Sequence, residues 1–271
     1  MEKKLKIGIV GCGAIGSQIA TACMRELKSK IELTAIYDID KEKATSLSRI
    51  ISDNIVVKSL EELIDRIDLI VESASGSVSA SIAEKAIERS KDILIMSTGG
   101  LIDSEELLER ARKKNVRLFF PSGAICGIDG LKAAKAEGIE TVTLTTTKAP
   151  RSLEGAPYFK ENNIDVYSIK TKTVIYDGNA KGAIKGFPKN VNVASLLSMA
   201  GIGAEKTKVI IIADPSITRN MHEIEISGKF GTLKTRTENV PSLANPKTSK
   251  LAFLSAIALL RDIADSVKFG T

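Results

Sequence analysis

The chain of 271 residues contains a single histidine, His222, no tryptophan, three cysteines and only 4% aromatic residues. Cys12, Cys23 and Cys126 form no C-x-x-C pair and have no histidine nearby, so neither a metal site nor a disulfide scaffold is expected. Free thiols make a reducing cytoplasm the default compartment. The net charge is +6, yet acids and bases are interspersed and no long basic block occurs, which argues against a nucleic-acid partner. The most apolar late segment, Leu251 to Leu260, is too short to span a bilayer and is flanked by Lys250 and Arg261, so no membrane partner is expected. Met1–Lys4 leads into only a short apolar run before the first glycines, which does not fit a secretory signal. Internal repeats and low-complexity tracts are also missing.

What is present suits a globular enzyme: 43% hydrophobic and 27% charged residues, in a chain long enough for two modest domains. The positive balance suits capture of a dinucleotide or a small dicarboxylate. Up to about residue 120, strand and helix patterns alternate. Strands are expected at Leu5–Val10, Leu33–Tyr37, Val56–Val57, Leu69–Glu72, Ile93–Met96 and Val116–Phe120. Helices are expected over 14–29, Lys41–Ile51, Leu60–Asp65, Val78–Arg89 and Ser104–Lys114, the last opened by Asp103-Ser104-Glu105-Glu106. This rhythm predicts an α/β fold with a doubly wound, Rossmann-type parallel sheet.

Beyond "PSGAICGIDGL" (Pro121–Leu131) the pattern changes. Thr141–Thr147, Thr171–Tyr176, Val209–Ala213, Met221–Ser227 and Lys229–Thr235 read as strands, with a helix near Val193–Ala200, which predicts a smaller α/β domain with a mixed sheet. Ser249–Val267 reads as a long helix, apolar around most of its circumference and therefore well buried. The expected partition is 1–122 for dinucleotide binding, 123–248 for substrate, catalysis and dimerisation, and 249–271 for a C-terminal helix packing back on the first domain.

"IGIVGCGAIG" at Ile7–Gly16 supplies a G-x-G-x-x-G turn between a strand and a helix, with Asp38 closing the next strand 22 residues beyond Gly16. In that context Gly11 makes the turn, Gly13 admits a pyrophosphate and Gly16 lets helix and strand pack closely. The helix start at Ala14 and Ile15 offers unpaired N–H groups to the anion. Asp38 would accept from the adenosine ribose hydroxyls and repel a 2′-phosphate, so NAD is favoured over NADP, although Lys41 and Lys43 soften that preference. Cys12 reads as a small packing residue.

His222 lies in "TRNMHEIEISGKFG". On a strand it shares a face with Ile224 and Ile226, while Glu223 and Glu225 point the other way. That position fits a hydrogen-bonded core histidine. It equally fits the group titrating near neutrality that a dehydrogenase acting on an amine or alcohol requires, and no other histidine can serve.

Taken together, "GIVGCGAIG" (Gly8–Gly16), "PSGAICGIDGL", "TTTKAP" (Thr145–Pro150), "FPKNVNVAS" (Phe187–Ser195), "DPSITRNMHEIEISGKFG" (Asp214–Gly231) and "ENVPSLANPKTSKLAFLSAIALLR" (Glu238–Arg261) resemble the archaeal-type L-aspartate dehydrogenases. The resemblance runs through nearly the whole chain in the family's order. It implies a Rossmann domain followed by a smaller domain of the dihydrodipicolinate-reductase type. It also implies oxidation of L-aspartate to iminoaspartate, or oxaloacetate plus ammonia, with NAD or NADP, feeding NAD biosynthesis. The N-x-H segment places the catalytic histidine at His222, and further cofactor contacts fall on Ala124 and Asn190. The family also suggests a homodimer. Relative to the shortest members, the chain carries extra residues around Glu32–Val57.

In this reading His222, directly or through a water, takes the proton that the substrate amine must lose before hydride can leave the α-carbon. The two substrate carboxylates need cationic or N–H partners. Lys148, Lys185, Lys189, Lys247, Asn192, Thr248 and Ser249 are the candidates, each of them equally explicable as a surface lysine or a helix cap. Met221 and Ile226 are expected in the core. A dihydrodipicolinate reductase, a homoserine dehydrogenase and a non-catalytic NAD(H) sensor are the competing readings. The first would call for a His-His pair the chain does not have, and the sensor for a DNA-binding module that no residues are left to build.

Overall fold

The computed structural model describes residues 3–51, 54–188, 192–242 and 248–270. It divides into two compact units, Met1–Pro121 with Phe253–Phe269, and Ser122–Ala252 with Gly270–Thr271.

The first unit is built on strands β1 (Leu5–Val10), β2 (Ile31–Tyr37), β3 (Leu69–Glu72), β4 (Asp92–Ile95) and β5 (Leu118–Phe119), all parallel in the order β2-β1-β3-β4-β5. Ile7, Ile9, Ile36, Ile70, Val71, Ile93 and Leu94 are buried, as a parallel sheet covered on both faces requires, each side chain contributing about 1.5–3 kcal/mol. Helices α1 (Ala14–Arg25), α2 (Lys41–Ile51), α3 (Leu60–Asp65), α4 (Gly76–Glu88) and α5 (Glu105–Lys113) connect them. Ser59 starts α3 by accepting from the Glu62 N–H at 3.1 Å, while the Glu62 carboxylate reaches back to the Lys58 N–H at 2.8 Å. At α5 the expected acids stand in the first turn, but the Ser104 side chain makes no cap. The chain leaves β1 toward β2 on one side and β3 on the other. That reversal of strand order is where open α/β sheets bind ligands.

Val56–Val57 is not a strand. Val56 makes one isolated bridge to Ile36, at the outer edge of the sheet. The long C-terminal helix is also shorter and less buried than its composition predicts. It is α10, over Lys250–Ala264, and only Ala256, Ile257 and Leu260 are buried while Leu254 is 48% exposed. The Asp265 carboxylate takes the Val267 N–H at 3.2 Å and pairs with Lys30, which ends the helix there and ties it to the first unit.

The second unit is a mixed sheet of β6 (Ile139–Lys148), β7 (Thr173–Asn179), β8 (Lys208–Ala213), β9 (Asn220–Gly228) and β10 (Gly231–Asn239) in the order β10-β9-β6-β8-β7. β6 and β8 are parallel and the remaining neighbours antiparallel. Helices α6 (Ile128–Ala134), α7 (Pro157–Glu161), α8 (Ala180–Gly186) and α9 (Asn192–Ala200) accompany it; α6, α7 and α8 are too short to show a clear periodicity in the sequence. Its core centres on Phe187, stacked on Tyr158 and edge-on to Phe159 and Tyr176. Along β9, Asn220, His222, Ile224 and Ile226 are buried and Glu225 is exposed, the alternation the sequence predicts. Ile226 is a core residue, but Met221 is not. It is half-buried on the Glu223 side, where its sulfur accepts from Arg236, because the period of two carries it away from Ile226.

Candidate functional site

Two sets of residues carry chemistry, one in each unit. In the first unit the chain turns at Gly11 with φ +96°, a conformation open to glycine, and its N–H donates to Tyr37 O at 2.8 Å. A Cβ at Gly11 would stand 2.6 Å from the Ser73 backbone, and one at Gly16 only 1.9 Å from Gly11 O. Around Gly13, by contrast, nothing lies within 4 Å of such a Cβ. Two glycines are therefore required by packing, while the third keeps a space open. α1 begins beside that space with no side chain capping it, so the N–H groups of Ala14, Ile15 and Gly16 point out of the helix toward any anion placed there. The donor set and the open space fit a pyrophosphate.

Neighbouring side chains make this turn rigid. The Ser73 hydroxyl donates to Gly11 O at 2.8 Å. Asp38 accepts from the Cys12 N–H at 2.7 Å and from the Asp40 N–H at 2.8 Å, one on each oxygen, so each keeps a further lone pair for a ribose hydroxyl. Lys43, one of the lysines that could soften cofactor preference, pairs with Asp40 at 3.2 Å. Burial pushes the Cys12 thiol up to about 12, with Asp38 adding to it, so Cys12 is an inert packing residue as expected. Sequence reasoning missed Glu72. It is fully buried at the end of β3, and its two oxygens accept from the Ala74 N–H (2.8 Å) and the Ser97 N–H (3.0 Å), pinning the turns after β3 and β4. Burial pushes its carboxyl above the usual range despite those donors.

In the second unit, Thr146 on β6, His222 on β9 and Thr237 on β10 lie in one rung across three strands. The Thr146 hydroxyl is 3.0 Å from His222 Nδ1. The imidazole is 4% exposed. Among the described residues Nδ1 is the only ring atom with a protein partner, and no fully buried side-chain nitrogen or oxygen goes without one. Nε2 therefore lies at the accessible edge of the ring. Burial, reinforced by the nearby Lys148 charge, holds the imidazole down at about 3, so it is neutral at physiological pH. Lys148, two residues beyond Thr146 on the same face, is itself buried, which lowers its amine to about 8. It sits against a small apolar cavity lined by Leu144, Leu153, Ala194 and Val209. A neutral imidazole beside a buried ammonium can exchange a proton and attract an anion.

The structure thus brings His222 and Lys148 onto one face of the sheet, with Ala124 held against β10 beside them. Among the described residues none of the other substrate candidates is hydrogen-bonded to the His222 ring. Asn192 is exposed at the start of α9, and Lys185 is exposed on α8. Thr248 is pinned through its carbonyl to the Ser242 N–H at 2.7 Å, and Ser249 bridges to Pro241. Neither Asn192 nor Thr248 is hydrogen-bonded to His222. Lys189, Asn190 and Lys247 lie outside the described residues. Thr146, Thr237 and Asn239 were missed. The signal for Thr146 was available, since it stands two residues before Lys148 in a strand of period two.

Comparison with known proteins covers both units. Residues 129–263 match the family model "Aspartate dehydrogenase, C-terminal", and residues 11–121 match "Homoserine dehydrogenase, NAD binding domain". The chain is 47% identical to the L-aspartate dehydrogenase of Methanococcoides burtonii, over 98% of this chain and 100% of that one. It is 43% identical to the L-aspartate dehydrogenase of Nitrosopumilus maritimus, over 98% and 99%. The crystal structure of aspartate dehydrogenase from Thermotoga maritima superposes with a TM-score of 0.76 at 28% identity, covering 99% of this chain and all of that one.

Proposed function

The chain belongs to the L-aspartate dehydrogenase family, and on that premise we propose that it oxidises L-aspartate to iminoaspartate, or onward to oxaloacetate and ammonia, with NAD or NADP. The observation that carries this reading is the lone histidine, buried with Nε2 at the open edge and Lys148 beside it. The Gly11–Gly16 turn, the start of α1 and Asp38 hold the dinucleotide, joined by Ala124 and Asn190. A nicotinamide cofactor held there would supply the acceptor for the hydride leaving the substrate α-carbon.

His222 is the acid–base residue. The substrate ammonium must lose a proton before hydride can depart, and Nε2 receives it directly or through one water. In the free protein the imidazole is a weak base. Arrival of two substrate carboxylates raises its basicity, since opposite charge nearby favours the imidazolium. The base is thus strengthened by the ligand it serves. Lys148 meets one carboxylate, with Asn192, Lys247 and Thr248 assigned to the same diacid. His222 also guides the water that attacks the imine if hydrolysis occurs on the protein.

Asp38 makes NAD the preferred cofactor, and the product supplies iminoaspartate to NAD biosynthesis. The protein works in the cytoplasm as a homodimer. The half-buried Ile210, Ile212 and Met221, on the sheet face opposite the core, support an apolar contact there, and sedimentation at micromolar concentration reads the dimer directly.

The test of the activity is NADH absorbance with L-aspartate, with homoserine and dihydrodipicolinate in parallel. His222→Ala is expected to lower kcat by about 10²-fold while NADH affinity stays within twofold. Equal loss of NADH affinity would make the histidine structural, and turnover of homoserine but not aspartate would refute the substrate assignment.

A further inference from the structure

Ala124 is held in an unusual way for a loop residue. Its carbonyl oxygen accepts from Asn239 Nδ2 at 2.9 Å and from Thr237 Oγ1 at 2.9 Å, and Asn239 Nδ2 also donates to Thr237 Oγ1 at 3.1 Å. Both lone pairs of that one oxygen are used, where a single donor would satisfy it. The Ile125 N–H closes the turn on Ser122 O at 3.4 Å. Ala124 and Asn239 are 7% and 4% exposed. The Ala124 N–H, in contrast, meets no acceptor among the described residues. Backbone donors in so buried a position are ordinarily paired, so this one is available to an acceptor brought by a ligand.

The same two residues connect this turn to the catalytic rung. Thr237 is the cross-strand neighbour of His222, and Asn239 of Asn220. Thr237 Oγ1, whose one proton goes to the Ala124 carbonyl, lies 3.5 Å from the His222 carbonyl. β10 therefore carries a pair of side chains that fix the Ala124 carbonyl relative to the strand bearing the imidazole.

We propose that Thr237 and Asn239 are positioning residues for the cofactor's carboxamide: by saturating the Ala124 carbonyl they anchor the residue whose own N–H, in the preceding peptide group, is left to donate to the carboxamide oxygen. This rests on the reading of Ala124 as a cofactor contact. The clamp is assigned to the nicotinamide end alone, the adenosine end being assigned to the glycine turn and Asp38. Its loss lets the carboxamide swing and weakens the grip on that end, without altering the pyrophosphate or ribose contacts.

Titration of NADH, followed by its own fluorescence, and of ADP-ribose, followed by displacement of NADH, separates the two ends. Asn239→Ala and Thr237→Val are each expected to weaken NADH about tenfold, the scale of one lost buried hydrogen bond, and to leave ADP-ribose within twofold. Thr237→Ser, which keeps the hydroxyl, is expected to bind both ligands as the wild type does. Asn239→Asp, which turns a carboxylate oxygen toward the carbonyl, weakens NADH further. Unchanged NADH affinity in both alanine and valine variants overturns the proposal, and so does equal weakening of ADP-ribose, which marks a merely structural role. If the wild-type protein binds ADP-ribose as tightly as NADH, the carboxamide is not gripped, and the cofactor reading of Ala124 fails with the clamp. A wild-type protein that distinguishes the two ligands yet turns over no aspartate overturns the activity reading alone, and the variant pattern then still supports the clamp.

Discussion

Acid should act on this protein through its one histidine in a way that can be measured without assignment. The imidazole is held at about 3 in the folded chain, against an ordinary value of 6.5. Its folded value is depressed, so the stability it contributes is complete above pH 6.5 and is lost as pH falls from 6.5 toward 3, because the unfolded chain takes up the proton first. Between pH 7 and pH 4.5 the two values correspond to a loss of about 2.5 kcal/mol from this residue alone. Lys148, at about 8, is charged in the folded protein throughout that window and adds no slope. Carboxylates held low by ion pairs, such as Asp40 and Asp265, also lose stability in acid, but equally in wild type and in His222→Gln. The difference between those two proteins in chemical unfolding at pH 7 and 4.5 therefore isolates His222. Proton NMR of the single imidazole Hε1 gives the same answer directly, with no titration expected above pH 5. A midpoint at 6 or above, or a wild-type-minus-variant difference under about 1 kcal/mol, refutes the buried placement of the ring.

Two further perturbations separate packing from binding in the first unit. Gly13→Ala adds a methyl to open space and is expected to leave the thermal midpoint nearly unchanged while weakening NADH more than about tenfold, since the pyrophosphate needs that space. Gly16→Ala drives a methyl to 1.9 Å from Gly11 O and is expected to cost about 2–4 kcal/mol of stability as well as cofactor affinity. Normal NADH binding by the Gly13 variant would move the pyrophosphate elsewhere. Asp38→Asn removes the charge that repels a 2′-phosphate, and the ratio of kcat/KM for NADP over NAD is expected to rise about tenfold. An unchanged ratio would place cofactor choice on other residues.

How much of this was legible beforehand follows from the distance over which each feature is decided. The glycine turn, α1 and Asp38 lie within one βαβ unit, so their spacing in that context singles them out from the sequence as candidates. The burial of His222 was readable from the period of two along β9. Met221 was misplaced by ignoring that same period, and α10 by treating apolar composition as proof of burial, when Ala256, Ile257 and Leu260 alone are buried and Leu254 is exposed. Glu72 escaped because an acid ending the run Leu-Ile-Val-Glu looks like a strand terminus. What makes it a buried pin is a pair of turn N–H groups, one of them 25 residues away.

The clamp on Ala124 shows the limit most clearly. Thr-Arg-Thr-Glu-Asn on β10 reads as an exposed polar edge strand, and nothing local distinguishes Thr237 and Asn239 from Arg236 and Glu238. Their partner is 113 and 115 residues earlier in the chain. Register decides between them, and the hairpin decides the register. β9 and β10 are joined by the two residues Lys229 and Phe230, with Gly228 paired to Gly231, and Gly231 adopts φ +111°. A slip of one residue in that turn would exchange every Thr237-type position for an Arg236- or Glu238-type one. It would put a charge beneath the Ala124 carbonyl and beside the imidazole at once. The geometry of the proposed site is therefore set as much by a tight turn at the far end of two strands as by the residues that meet the ligands.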